Sequence, residues 1–312
     1  MIRRLAIVNR GEAAVRCLRT VRAWSGRTGQ SLSSVALFTD AERDAPFVRQ
    51  ADVAVELASP STPVGSYLDH DGLIAAIQAA EADAVWPGWG FVSEDADFVD
   101  RLEAEGLTFL GPRAATMRRL GDKIAAKQLA ESAGVSIAAW NGGVLKGPEE
   151  ARNVASRIGF PVAIKASAGG GGRGIRMVHS DQDIEEAYRS AASEAEAAFG
   201  DGRLFIEACI TNGRHIEVQI AGDHFGNIFA LGCRDCSVQR LHQKVLEEAP
   251  PPGLSAGTMK SLQEAAVRLA QAVGYQGVGT VEFLVQGATP FFLEVNPRLQ
   301  VEHGLTESLT GT

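Results

Sequence analysis

Short apolar runs alternate with amphipathic stretches over the first third of the chain. Residues 5–8, 35–38, 53–57, 84–86 and 108–110 predict strands, and between them residues 11–24, 68–80 and 94–105 carry apolar positions at helical spacing. That alternation predicts a doubly wound α/β domain over residues 1–113, closed at Pro112. A helix rich in Lys and Ala is expected over 114–133, stopped by Gly134. The pattern then predicts a small α+β module at about 135–203, with strands at 162–166 and 175–178 and helices at 149–158 and 181–199. Residues 204–312 offer strands at 204–207, 217–221, 228–232, 278–285 and 291–295, with one long helix at 256–273.

Composition narrows the function classes. With 312 residues, 45% hydrophobic and 22% charged, the chain is of ordinary globular make-up. Its four cysteines, Cys17, Cys209, Cys233 and Cys236, are too few and too scattered for a disulfide framework, which points to a reducing cytoplasm. The first apolar run stops at Asn9 and Arg10, too soon for a signal sequence or a membrane span. A net charge of −8 argues against general nucleic-acid binding. Any anionic ligand must therefore be met locally, where Lys, Arg and backbone amides converge.

Three segments carry candidate chemistry. The run GGGGRG at 169–174 joins two predicted strands, so it cannot be a Walker loop or a Rossmann turn, each of which opens directly into a helix. A hairpin whose amides close over nucleotide phosphates fits, with Lys165 supplying a cation; a flexible linker would usually mix in Ser and lack flanking strands. Glu282 and Glu294 each interrupt a run that otherwise asks for burial. With Asn296 they suit a hard divalent cation bound through oxygen, although plain strand alternation could also turn both acids to solvent.

Residues 234–244, RDCSVQRLHQK, look too polar for a core strand and are expected to form an anion-handling loop. Cys233 and Cys236 make a C-x-x-C with no second pair at zinc spacing. In 296–303, NPRLQVEH, an extended backbone would project Arg298, Gln300 and Glu302 from one face, a cation, an amide and a carboxylate suited to orienting and deprotonating a small oxyanion. His303 would point the other way and is expected to be structural.

The strings VNRGEAAVR, GWGFVSED, FLGP, LGDK, FPVAIKASAGGGGRGIR, RHIEVQI, RDCSVQRLHQKVLEEAP and LEVNPRLQVEH occur in one order and spacing from end to end. In that set the chain resembles the biotin carboxylases, within the ATP-grasp superfamily. The resemblance implies an N-terminal α/β domain (1–113) followed by an ATP-grasp domain (114–312) with a lid at about 135–203 and an incomplete catalytic part at 204–312. It implies ATP held by Lys123, Lys165, Gly170, Gly171, Gly172, Glu207, His215, Gln239 and His242, and Mg2+ or Mn2+ held by Glu282, Glu294 and Asn296. It also implies bicarbonate held by Lys244, Arg298, Gln300 and Val301, with Glu302 as general base and Arg298 steadying the biotin anion. Biotin would arrive on a carrier domain, because no Met-Lys-Met site is present, and a carboxyltransferase would complete the reaction.

Trp86, Trp89 and the Pro of NPRLQVEH are more like single-chain acetyl-CoA carboxylases than the short bacterial subunits, which points to the N-terminal part of a large multidomain acyl-CoA carboxylase. Cys209 and Gly304 depart from the family pattern beside the expected adenine and base positions. The dense polar run 294–307 so near Thr312 is expected to be a boundary within a longer protein. Two rival readings remain open at this point. One is another ATP-grasp ligase, such as a carbamoyl-phosphate synthase half; the other is a nucleotide-binding module without turnover.

Overall fold

The structure, a computed structural model, describes residues 2–58, 63–168, 174–241 and 243–311. Gly170, Gly171, Gly172 and His242 lie outside the described residues. The chain divides into two compact units: residues 1–117 with 276–278 and 297–301, and residues 118–275 with 279–296 and 302–312.

The first unit runs β1 (Arg4–Ile7), α1 (Gly11–Thr28), β2 (Ser33–Phe38), α2 (Pro46–Gln50), β3 (Val53–Glu56), α3 (Pro63–Ser66), α4 (His70–Ala79), β4 (Ala84–Trp86), α5 (Ala96–Ala104) and β5 (Thr108–Phe109). Its sheet, ordered β3-β2-β1-β4-β5, is parallel throughout, so the α/β expectation holds. Helices cover both faces, which is why the strands read as continuous apolar runs. Ala6, Val8, Val35 and Leu37 meet Leu73, Ile77, Phe98 and Leu102 on one side. Leu5, Ile7, Ala36 and Phe38 meet Leu18, Val21 and Phe47 on the other. Beyond β1, the Asn9 amide donates to the carbonyls of Pro87 (2.7 Å) and Trp89 (2.8 Å), which fixes the loop after β4. Gly88 in that loop has φ +64, and a Cβ there would sit 2.7 Å from the Trp86 ring, so only glycine fits.

The boundary between the units falls within α6 (Ala114–Gly121), which is followed by α7 (Lys123–Ser132). The single helix expected over 114–133 is thus two. Asp122 leaves helical geometry (ψ 110) and caps α7, its carboxylate accepting from the Ala125 amide (2.9 Å) and the Ser167 hydroxyl (2.9 Å) and pairing with Arg203 (2.9 Å). Next come α8 (Pro148–Ile158), β6 (Val162–Ala166), β7 (Ile175–Val178), α9 (Ile184–Phe199) and β8 (Leu204–Ala208). The strands form an antiparallel sheet, β7-β6-β8, on which Ala151, Val154, Ile184 and Ala191 of the two helices pack.

The rest of the second unit is β9 (Arg214–Gly222), β10 (Ile228–Arg240), β11 (Gln243–Glu248), α10 (Ala256–Ala272), β12 (Gly277–Gln286), β13 (Thr289–Asn296) and α11 (His303–Thr310). The strands are ordered β11-β10-β9-β12-β13, with β11 at an edge. One face is apolar: Ile216, Val218 and Ile220 of β9 and Val281, Phe283 and Val285 of β12 pack with Leu262, Ala266 and Leu269 of α10 and Ala126, Leu129 and Ala130 of α7. By the period of two, the intervening residues of β9 and β12 turn to the opposite face.

Two expectations fail here. The expected loop 234–244 is the paired end of β10 and the start of β11, with Arg234 fully buried, because nonlocal partners satisfy its charge. The expected extended run 297–302 is a bend and turn instead, with Glu302 (φ −77, ψ 5) preceding α11, so the alternation argument for it does not apply. Among the described residues no helix is long and apolar enough to cross a membrane. Replacing Asp122 by Ala removes the α7 cap and the Arg203 pair. The expected result is a loss of about 1–2 kcal/mol, read as a lower urea midpoint at unchanged slope.

Candidate functional site

The non-apolar face of the five-stranded sheet is buried yet charged. Glu217 and Gln219 on β9, Arg234 on β10, and Thr280 and Glu282 on β12 are all nearly inaccessible. Such burial requires each charge to be paired and hydrogen-bonded. Arg234 supplies the centre: its guanidinium donates to Glu217 (2.5 Å), Gln219 (2.8 Å), Thr280 (3.2 Å) and, on α11, Thr306 (2.6 Å). The other oxygen of Glu217 accepts from the Lys244 ammonium of β11 at 2.6 Å.

Lys244 also donates to Glu282 (3.0 Å) and Glu302 (2.7 Å), so three carboxylates surround one ammonium. Burial works against that charge, but Glu282, Glu217 and Glu302 outweigh it and raise the Lys244 pKa above the ordinary lysine range. Burial likewise opposes ionisation of Glu302, yet Lys244 holds its carboxyl below the ordinary value. Glu282 is also held well down, against burial, by His215 and Lys244. His215 Nε2 lies 2.9 Å from Glu282, while its Nδ1 faces the Gln239 amide at 2.8 Å. Gln239 also donates to the Cys236 carbonyl (2.8 Å), which fixes its amide as donor and makes Nδ1 the accepting nitrogen.

Glu282 and Glu294 are direct partners across β12 and β13, beside a bulge. Like charges placed opposite each other repel unless a cation lies between or beside them. The Asn296 amide donates to Glu282 at 2.8 Å, and Glu294 pairs with Lys123 at the start of α7. Two carboxylates and an amide oxygen are the donor set of a hard divalent ion, so these residues fit one. Two groups, His215/Glu217/Glu282 and Glu217/Cys236/Glu302, bring ligand atoms within 4.8 Å of one another, and the Lys244 ammonium bonds to carboxylates of both.

One turn beyond Lys123, Lys127 reaches a different strand. Its ammonium pairs with Glu207 of β8, and Lys165 of β6 pairs with the other oxygen of the same carboxylate at 2.5 Å. Burial opposes the charge on Glu207, yet the two lysines outweigh it and hold the carboxyl at about 2. Lys127, nearly buried against the Trp140 ring, is pushed down by desolvation. Cys209, just past β8, packs its sulfur against Met177 at 3.5 Å.

Among the expected site residues, the second unit therefore brings together Lys244, Glu282, Glu302, His215, Gln239 and Asn296. It also pairs Lys123 with Glu294 and Lys165 with Glu207. Arg298, Gln300 and Val301 belong to the first unit, where Arg298 pairs with Glu94 at 2.9 Å, Gln300 is buried and Val301 is exposed. His303 is buried at the start of α11 and lies 3.5 Å from Glu307. Sequence reasoning missed Glu217 and Lys127 and placed Arg234 in a loop. Glu217 carried the signal used for Glu282, a carboxylate between apolar neighbours. Lys127 stood four residues from Lys123 on one helix face. The thiols of Cys233 and Cys236 are buried, and burial pushes Cys233 up to about 11, which leaves both unreactive.

Residues 1–117 match the family described as biotin carboxylase, N-terminal domain, and residues 122–312 match the ATP-binding domain of the carbamoyl-phosphate synthase L chain. The chain is 46% identical over its whole length to the propionyl-CoA carboxylase alpha chain of Ruegeria pomeroyi, of which it covers 45%. It is 42% identical to pyruvate carboxylase of Bacillus subtilis over 99% of its own length and 26% of that protein. It thus spans less than half of these curated relatives. Among solved structures, the Campylobacter jejuni biotin carboxylase in complex with β,γ-ATP is 44% identical, with a TM-score of 0.94 covering all of this chain and 69% of that one. The biotin carboxylase domain of Hydrogenobacter thermophilus 2-oxoglutarate carboxylase, with MgADP, ADP and bicarbonate, is 37% identical, with a TM-score of 0.92 covering 100% and 67%. Fold and these likenesses agree: the chain belongs to the biotin carboxylase family and carries its N-terminal domain and an ATP-grasp domain.

Proposed function

We propose that the chain carboxylates biotin with bicarbonate at the expense of ATP, as the first half-reaction of an acyl-CoA carboxylase. The observation that carries this reading is the Lys244 ammonium held between Glu302 and Glu282. It joins a candidate base to a candidate metal carboxylate on one buried sheet face. Residues 1–113 form the N-terminal domain of the scheme, residues from about 135 to 203 the lid over the nucleotide, and 204–312 the catalytic part. Lys123, Lys165, Gly170, Gly171, Gly172, Glu207, His215, Gln239 and His242 are assigned to ATP.

Glu302, kept ionised by Lys244, takes the proton of bicarbonate held by Lys244, Arg298, Gln300 and Val301. The bicarbonate oxygen attacks the γ-phosphorus, and the bond to ADP breaks to give carboxyphosphate. Carboxyphosphate splits into CO2 and phosphate. Phosphate accepts the ureido proton of biotin, and the biotin nitrogen, steadied by Arg298, adds to CO2. A Mg2+ or Mn2+ ion at Glu282, Glu294 and Asn296 would offset charge on the phosphates. Biotin is assigned to a separate carrier domain and the final acceptor to a carboxyltransferase, consistent with the relatives being acyl-CoA and pyruvate carboxylases. Four free thiols support a reducing compartment, and we infer the cytoplasm.

Bicarbonate-dependent ATP hydrolysis is expected to rise with free biotin and to fall at least about a hundredfold in Lys244→Ala and Glu302→Gln, the scale of a lost general base. Turnover stimulated by ammonia and not by biotin would transfer the assignment to carbamoyl-phosphate chemistry. Glu294→Gln should raise the Mg2+ concentration for half-maximal rate by about tenfold or more, a scale that even the partners of metal ligands reach. An unchanged Mg2+ dependence would remove Glu294 from the metal set.

A further inference from the structure

Glu207 is nine-tenths buried or more and carries two lysine partners where charge balance needs one. Lys165, assigned above to a nucleotide phosphate, is the more accessible of the two, with 16% of its side chain exposed against 5% for Lys127. A lysine that serves a phosphate must turn from its carboxylate or share it. If Lys165 were the only partner of Glu207, turning away would strand a buried carboxylate, the costly way to break an ion pair. Lys127 removes that obstacle. It comes from a different element, α7, and is held in place independently of β6: its stem is buried in the second unit and its ammonium lies 5.6 Å from the Trp140 ring. Trp140 is itself bridged to Glu207 through the backbone and packs edge-on against Phe205, so Lys127, Trp140 and β8 form one fixed frame. Lys165 stands on β6, which pairs with β8 in the same sheet, so its backbone is fixed as well; its more exposed side chain is the one with room to turn.

Resting on the ATP-binding reading, we propose that Lys127 is a positioning residue that keeps Glu207 neutralised so that Lys165 is available to the nucleotide phosphates. Lys127 itself need not touch the nucleotide. Its effect should depend on the phosphates of the ligand and on the presence of the Glu207 carboxylate.

The experiment is calorimetric binding of MgATP and of adenosine to the full chain and to Lys127→Met, Glu207→Gln and the Lys127→Met/Glu207→Gln double variant, each checked for folding by circular dichroism. Lys127→Met should weaken MgATP by about tenfold or more, which is 1.4 kcal/mol, and leave adenosine within about twofold. In the Glu207→Gln background, where no buried carboxylate pins Lys165, adding Lys127→Met should change MgATP affinity by no more than about twofold. Lys127→Arg should bind MgATP as the parent does. Three outcomes overturn the proposal: unchanged MgATP affinity in Lys127→Met, an equal loss for adenosine, or a further loss of about tenfold when Lys127→Met is added to Glu207→Gln. The second would mean that Lys127 only maintains the shape of the site. A parent chain that binds neither ligand would overturn the ATP-binding reading itself, and the role of Lys127 with it. A Lys127→Met chain that does not fold would also count against it, by making the residue structural.

Discussion

The ion pair between Arg234 and Glu217 is the constraint on which the five-stranded sheet of the second unit depends. Both side chains are almost wholly inaccessible, so the Arg234 charge depends on Glu217, which Lys244 also neutralises. Their pairing ties β9 to β10, and the remaining guanidinium bonds extend the tie to Thr280 on β12 and Thr306 on α11. The second oxygen of Glu217 then fixes Lys244, and Lys244 fixes Glu302, the residue preceding α11. The chain of contacts closes on itself through α11. A side chain with no proposed contact to any substrate thereby sets the separation of two that have one.

The sequence disclosed this arrangement unevenly, and the reasons are local. Parallel strands covered on both faces give continuous apolar runs, so β1, β2 and β4 were readable. Glu282 and Glu294 stood out because a carboxylate in an apolar run needs an explanation. Glu217 fitted an ordinary alternation, since His215 and Gln219 flank it at the same period. Arg234 was misplaced in a loop because its burial depends on Gln219, Thr280 and Thr306, partners far away in the chain. The break between α6 and α7 had no proline to mark it; Gly121 and Asp122 carried the only sign, and two of the partners that hold the capping carboxylate of Asp122, Ser167 and Arg203, lie far along the chain.

Helix α7 shows how one short element can serve two sheets. Lys123 and Lys127 lie one turn apart, so they share a face, and the first reaches Glu294 of β13 while the second reaches Glu207 of β8. The apolar face of the same helix packs Ala126, Leu129 and Ala130 into the core of the five-stranded sheet. Packing thus supplies the rigidity from which both cations are aimed. The opposed pair Glu282 and Glu294 is the complementary feature: acids set across a ladder where neutral residues would pair better.

Lys244 also belongs to β11, the edge strand, on which Val245 and Leu246 are exposed. An edge with unpaired backbone groups and outward apolar side chains is a template for a foreign strand. The ammonium of Lys244 turns inward from this edge toward Glu217, and Glu247 and Glu248 follow the apolar pair. A strand adding itself here would have to accommodate charges committed to the interior. The residue proposed to hold bicarbonate thus also places an inward-committed charge on an edge strand, a feature that disfavours the addition of a foreign strand.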